Sequence, residues 1–187
     1  MVKKKACIFI SGSGTNLRSI IKNSRDYNFP VNINLIISNK KSAKGISFAK
    51  KFSIPHIILD VKKEKFEKIA IKELIERKIN LVCLAGFMKV LSKNFIRNFK
   101  GKIINIHPSL LPKYKGLNTF KRVMQAGEKI TGCTVHFVDE KLDNGKIILK
   151  KRVLVNKNET PENLKKKVQL EEYKAYSIAI RKIYNLS

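Results

Sequence analysis

Cysteine is scarce in this chain, acidic side chains are few, and no apolar run comes near the length of a membrane span. The three cysteines, Cys7, Cys83 and Cys133, are odd in number, far apart and set in apolar segments. They read as buried free thiols of a reducing compartment rather than a disulfide framework or a zinc set. A spanning helix would need roughly 20 consecutive apolar residues, and none exists. The start Met1-Val2-Lys3-Lys4-Lys5 leads only into the short run 6–10, too brief for a secretion signal. A cytoplasmic protein that engages no membrane is expected. Repeats, linkers and low-complexity tracts are also missing. With 187 residues and 43% hydrophobic content, a single domain over 1–187 can build its core without staples.

The shortage of acid leaves 14 Asp and Glu against 40 Lys and Arg, a formal charge of +26. Such a balance ordinarily points to nucleic acid. Here the basic residues are mostly Lys, scattered along the whole chain, and accompanied by abundant Asn and Ile. AT-rich coding produces that joint excess. Nucleic acid is therefore not expected as the main partner, although the basic field would attract an anionic small substrate.

What is present is an alternation of strand and helix signals. The apolar run 6–10 stops at Ser11-Gly12-Ser13-Gly14, after which Leu17, Ile20 and Ile21 recur at helical spacing. Strands are expected at 33–38, 56–59, 80–85 and 102–106. Helices are expected at 43–52 and 64–77, and another from a Ser92 cap to about residue 99. This order implies a Rossmann-like, mostly parallel twisted sheet with helices on both faces. Beyond Pro112 come a loop, a helix near 118–126 and two strand-like runs at 132–138 and 146–155. The turn between those runs is too short for a parallel crossover, so they form an antiparallel pair. Thr160-Pro161 starts a long C-terminal helix that reaches about residue 184.

Two motifs carry chemistry. The loop Gly12-Ser13-Gly14-Thr15-Asn16 can aim backbone N–H groups at an anion on a helix N-terminus, with Thr and Asn as further donors. It lacks the third glycine of a dinucleotide fingerprint, and Asn39-Lys40-Lys41 stands where an acidic residue would close the second strand. The run Asn105-Ile106-His107-Pro108-Ser109-Leu110-Leu111-Pro112 puts an amide and an imidazole where a strand becomes a loop, and Asp143 follows in Leu142-Asp143-Asn144-Gly145. Those three groups together suggest acyl transfer: when a nucleophile such as an amine attacks an acyl carbon, the carbonyl oxygen gains charge and the amine loses a proton. Amide, imidazolium and carboxylate supply the donors and the base. No metal is required. His56 opens an apolar strand and reads as structural, while His136 either lines the site or packs.

These segments, with Leu84-Ala85-Gly86-Phe87-Met88 and Gly132-Cys133-Thr134-Val135-His136-Phe137-Val138, resemble the phosphoribosylglycinamide formyltransferases of purine synthesis nearly end to end. The resemblance implies transfer of a formyl group from 10-formyltetrahydrofolate, a co-substrate, to the glycinamide amine of a ribonucleotide. It implies that Gly14, Thr15 and Asn16 hold the substrate phosphate. Met88, Lys89, Val90 and Leu91 would flank the folate, and Asp139, Glu140, Lys141, Leu142 and Asp143 would form a loop against the pterin. Asn105 and His107 would stabilise the oxyanion, with Asn105 also touching folate, while Asp143 positions the acid-base system and relays a proton. Gln169 and Glu172 match ribonucleotide contacts, and Lys63 matches a basic folate contact. A monomer or weak homodimer is expected.

The chain also departs from the family pattern. Lys115-Gly116-Leu117-Asn118-Thr119-Phe120 lacks the usual Pro and His residues, which predicts a more mobile loop. Lys89 stands where Arg is common. Asn144 replaces a frequent Gly, a change expected to be tolerated because Asn accepts left-handed backbone. Formyl transfer to methionyl-tRNA and a basic nucleic-acid-binding module are the alternative readings. The chain length and Pro108 directly after His107 favour the free ribonucleotide.

Overall fold

The computed structural model describes residues 2–185. Its elements run β1 (Lys4–Ile10), α1 (Thr15–Ser24), β2 (Val31–Ser38), α2 (Ile46–Lys51), β3 (His56–Ile58), α3 (Lys63–Glu76), β4 (Leu81–Leu84), α4 (Lys93–Asn98), β5 (Lys102–His107), α5 (Thr119–Gln125), β6 (Ile130–Phe137), β7 (Ile147–Leu154) and α6 (Pro161–Ile183). The strand order is β3-β2-β1-β4-β5-β6-β7. The chain divides into two compact units at β5, between Ile104 and Asn105.

In the first unit β1 pairs in parallel with β2 and β4, and β2 with β3. From Ala6 to Ile10 and along the whole of β4 every residue is buried, with no alternation. That pattern means both faces of these strands are covered, as a parallel sheet requires. Phe9 of β1 meets Phe66, Phe87 and Phe95 edge-on, with ring centroids 5.8, 5.3 and 6.1 Å away. Such pairs contribute about 0.5–1.5 kcal/mol each beyond burial. The Phe87 contact also fixes the start of the loop 86–91. Ser92 caps α4 by accepting from the Phe95 N–H at 3.1 Å, and both its N–H and hydroxyl reach the Glu67 carboxylate of α3.

The second unit is built on the antiparallel pair β6 and β7. Its register breaks between Val135 and His136, where β7 carries an extra residue; such irregularities re-aim the neighbouring side chain. Helix α6 packs on both strands through Leu164, Val168, Ala175, Tyr176, Ala179 and Ile180. Thr160 caps it by accepting from the Asn163 N–H at 3.2 Å, with Pro161 in the first turn, as the start signal implied. Helix α2 is shorter than the expected 43–52, because residues 41–45 form turns that end in Gly45.

Candidate active site

In the first unit the glycine loop joins β1 to α1, with Gly14 as N-cap at φ 73°. A side chain there would meet the Gly45 Cα at 2.6 Å, so glycine is required both by backbone conformation and by space. Gly45 in turn donates its N–H to the Gly12 carbonyl at 3.0 Å. The base of the loop is tied by Ser11, which donates to Asn39 Oδ1 at 2.6 Å and accepts from the Met88 N–H at 2.7 Å. Thus Asn39, where a dinucleotide site would carry an acid, serves to hold the loop. No side chain caps α1 and its first turn has no acidic residue, so the field of its N–H groups is not neutralised locally.

In the second unit Asn105 and His107 lie two residues apart on β5 and therefore share a face. Asp143 comes from the turn after β6, at φ 46°. The left-handed residue of this turn is thus the aspartate itself, so Asn144 is tolerated without needing a left-handed backbone. Asn144 instead donates to Asp139 Oδ2 at 3.4 Å and accepts from Lys115 Nζ at 2.8 Å. A Cβ on Gly145 would stand 1.8 Å from the Phe137 carbonyl oxygen, so only glycine lets the turn close. That closure brings Asp143 Oδ2 to 3.3 Å from His107 Nδ1, with Asp143 8% and His107 5% exposed. His107 Nε2 lies 2.8 Å from the Tyr114 carbonyl oxygen, an acceptor only, so this nitrogen carries a proton. The Gly116 N–H donates to Asp143 Oδ2 at 2.9 Å. Both ring nitrogens of His107 are therefore engaged by protein acceptors.

The loop carrying Tyr114 and Gly116 is tethered rather than loose, contrary to the sequence expectation. Arg122 donates to the Lys115 carbonyl at 2.6 Å and lies 5.5 Å from the centre of the Tyr114 ring. Lys113 and Tyr114 both donate to Glu128 Oε1, at 2.7 and 2.9 Å. The hydrogen bonds from Lys113 and Tyr114 hold the Glu128 carboxyl below its ordinary pKa. Replacement of the usual Pro and His residues has left a loop anchored by backbone carbonyls and an arginine.

His136, which by sequence pattern alone either lines the site or packs, belongs here: it is 2% exposed, its Nε2 is 3.3 Å from Asn105 Nδ2 and 3.7 Å from Asp143 Oδ1. Its place in the Thr134-Val135-His136 alternation was the available signal. Glu172 is 7% exposed and interrupts the apolar stripe of α6, so it is not part of a solvated face. Burial, then the charge of Glu172, push the Cys133 thiol up to about 12. Gln169 beside it is half-buried.

The remaining candidates are more open. Met88 and Val90 are 63% and 59% exposed, whereas Leu91 is buried. Lys89 Nζ donates to the Val61 carbonyl at 2.9 Å and lies over the Phe66 ring. Lys63, in the first turn of α3, stands 4.0 Å from Glu67. In the turn 139–143, Asp139 Oδ1 accepts from the Lys141 N–H at 2.9 Å, Glu140 and Lys141 are exposed, and Leu142 is 54% exposed. Among the described residues no group of His, Cys, Asp or Glu is arranged to hold a metal ion, and no helix is long and apolar enough to cross a membrane.

Residues 4–180 match the family model described as formyl transferase. The chain is 39% identical over 183 residues to the phosphoribosylglycinamide formyltransferase of Haemophilus influenzae, covering 95% of this chain and 86% of that one. It is 40% identical over 183 residues to the trifunctional purine biosynthetic protein adenosine-3 of Gallus gallus, covering 96% of this chain but only 18% of that protein's length. The crystal structure of phosphoribosylglycinamide formyltransferase from Bacillus halodurans superposes with a TM-score of 0.91 at 36% identity, covering 96% of this chain and 95% of that one.

Proposed function

This chain belongs to the formyl transferase family, and from that premise we propose that it transfers the formyl group of 10-formyltetrahydrofolate to the glycinamide amine of N1-(5-phospho-D-ribosyl)glycinamide, in de novo purine biosynthesis. The substrate class comes from relatives named for it, two of which this chain covers by 86% and 96%. The observation that carries the chemistry is the buried pair of His107 and Asp143, Nδ1 3.3 Å from Oδ2, with the half-buried Asn105 two residues before His107 on the same strand face.

The amine nitrogen attacks the formyl carbon, a new C–N bond forms, and the carbonyl oxygen becomes an oxyanion. An N–H of Asn105 donates to that oxygen. His107 joins it when its Nε2–H exchanges the Tyr114 carbonyl for the substrate oxygen. Removing one such donor from a preorganised site typically costs about 10²–10³ in rate. Collapse of the oxyanion breaks the bond to the folate nitrogen. The proton lost by the amine passes through the His107–Asp143 pair to that leaving nitrogen, so atoms and charge balance without a metal. Asp143 orients the imidazole throughout, as carboxylates do in related acid-base pairs.

Gly14, Thr15 and Asn16 bind the ribonucleotide phosphate, a role supported by the uncapped α1 terminus and the glycine-only turn. Gln169 and Glu172 contact the ribonucleotide. Lys63, Met88–Leu91 and 139–143 contact the folate; the exposure of Met88, Val90 and Leu142 suits an apolar ring system. The whole chain serves as one transfer domain. Three buried free cysteines are consistent with a reducing compartment, and we assign the reaction to the cytoplasm. The test is direct: purified protein, glycinamide ribonucleotide and 10-formyltetrahydrofolate should yield tetrahydrofolate and formylated ribonucleotide. Folded protein that formylates methionyl-tRNA but not the ribonucleotide would overturn the assignment.

A further inference from the structure

A histidine buried to 2% exposure, here the last residue but one of β6, must have both ring nitrogens accounted for. His136 Nδ1 lies 2.7 Å from the Phe137 carbonyl oxygen, which can only accept, so Nδ1 carries the proton. In the neutral ring Nε2 is then a lone pair, and the atom it faces at 3.3 Å is the Asn105 amide nitrogen. The register of β6 against β7 shifts between Val135 and His136, directly beside this contact. The two flips of an asparagine amide are nearly equal in shape, so shape alone cannot choose between them.

We propose that His136 is a positioning residue: its Nε2 lone pair holds the Asn105 amide in the flip that leaves a second N–H for the formyl oxygen. The proposal rests on the oxyanion role given to Asn105. With the opposite flip, Oδ1 would face the lone pair of Nε2 and an acceptor, not a donor, would meet the developing charge. Protonation of His136 reverses the preference, because Nε2–H repels the amide N–H and draws Oδ1 toward itself.

The groups facing the ring are Asp143 and Asp139 from the turn after β6, which favour its charged form, and His107 from β5, which opposes it. Burial outweighs the carboxylates and lowers the pKa below 6.5, so the ring is neutral near pH 7. The arrangement works at neutral pH and fails as acid protonates the ring.

The experiment compares the unaltered protein with His136→Phe and His136→Gln across pH, together with ¹⁵N NMR of the histidine rings. Phe keeps the ring and removes the acceptor; kcat should fall about tenfold to a hundredfold with both KM values within about twofold, short of deleting the donor itself. Gln keeps an acceptor that does not titrate, so it should recover much of the rate and lose the acid limb assigned to His136. The NMR spectrum at neutral pH should show the Nδ1–H form. An unchanged kcat in His136→Phe, an unchanged acid limb in His136→Gln, or an Nε2–H ring in the unaltered protein would each overturn the proposal. The ring spectrum needs no turnover and no variant. It decides the matter even where His136→Phe does not fold, and separates this proposal from the assignment of substrate, which fails only if the unaltered protein does not formylate the ribonucleotide.

Discussion

The two turns that carry chemistry in this protein solve opposite problems with the same residue. At Gly14 a glycine removes a side chain so that backbone N–H groups at a helix start stay open to an anion. At Gly145 a glycine lets the backbone pass 137 closely enough to bury a carboxylate against an imidazole. The first turn leaves Gly12 and Ser13 exposed, and no side chain caps the helix it opens. The second engages almost every polar group with a protein partner before substrate arrives. An anchor works by offering unsatisfied groups to a ligand, whereas an acid-base site works by holding charges in place ahead of the reaction.

That contrast can be broken by substitution. The largest effect is expected from Asp143→Asn, which keeps the volume but removes the charge beside His107. Turnover should fall at least on the order of a hundredfold, with the melting profile little changed and ribonucleotide affinity retained. Full activity in this variant would remove Asp143 from the mechanism. Next comes Gly145→Ala, whose Cβ would collide with the Phe137 carbonyl. The displaced turn should lower kcat by roughly tenfold to a hundredfold and leave the KM for ribonucleotide nearly intact, as small misplacements of reacting groups do. The smallest effect on kcat is expected from Gly14→Ala. Left-handed backbone costs a non-glycine residue about 1–2 kcal/mol, and the contact with Gly45 adds to it. Stability by chemical denaturation should drop by that order and KM for ribonucleotide should rise, while kcat at saturation stays close to normal. If Gly14→Ala lowered kcat and Gly145→Ala raised KM, the division of labour between the two turns would be wrong.

The acid side of the stability curve gives an independent view of the second turn. His136 has its pKa lowered by burial, so on acidification the unfolded chain takes up this proton first. Stability is therefore lost as pH falls through the ordinary histidine range near 6.5, and the loss from this group ends below its depressed folded value. The carboxylates nearby pull the other way but do not outweigh burial.

Much of this was legible in the chain. The strand and helix order, the caps at Ser92 and Thr160 and the glycine loop rest on short-range rules of periodicity and turn chemistry, whereas the roles of Asn105, His107 and Asp143 come from the family resemblance. The Glu172 burial was legible in principle, because a carboxylate breaks the apolar spacing of Leu164, Val168 and Ala175. The mobility expected of the 115–120 loop failed because its anchors are the Tyr114 and Lys115 carbonyls and the Gly116 N–H, groups that every sequence possesses.

The sequence by itself determined which groups are available to react and the local elements that carry them, since these follow from residue type and spacing over a few positions. Only the tertiary structure decided who partners whom: that Asp143 meets His107, that Tyr114 offers its carbonyl to the same ring, and that His136 faces Asn105 from 31 residues away. Those pairings depend on strand register and on a one-residue irregularity beside His136. Register is a long-range property, fixed by packing of the two strands and α6 together, and a slip of one residue would turn His136 to the opposite face.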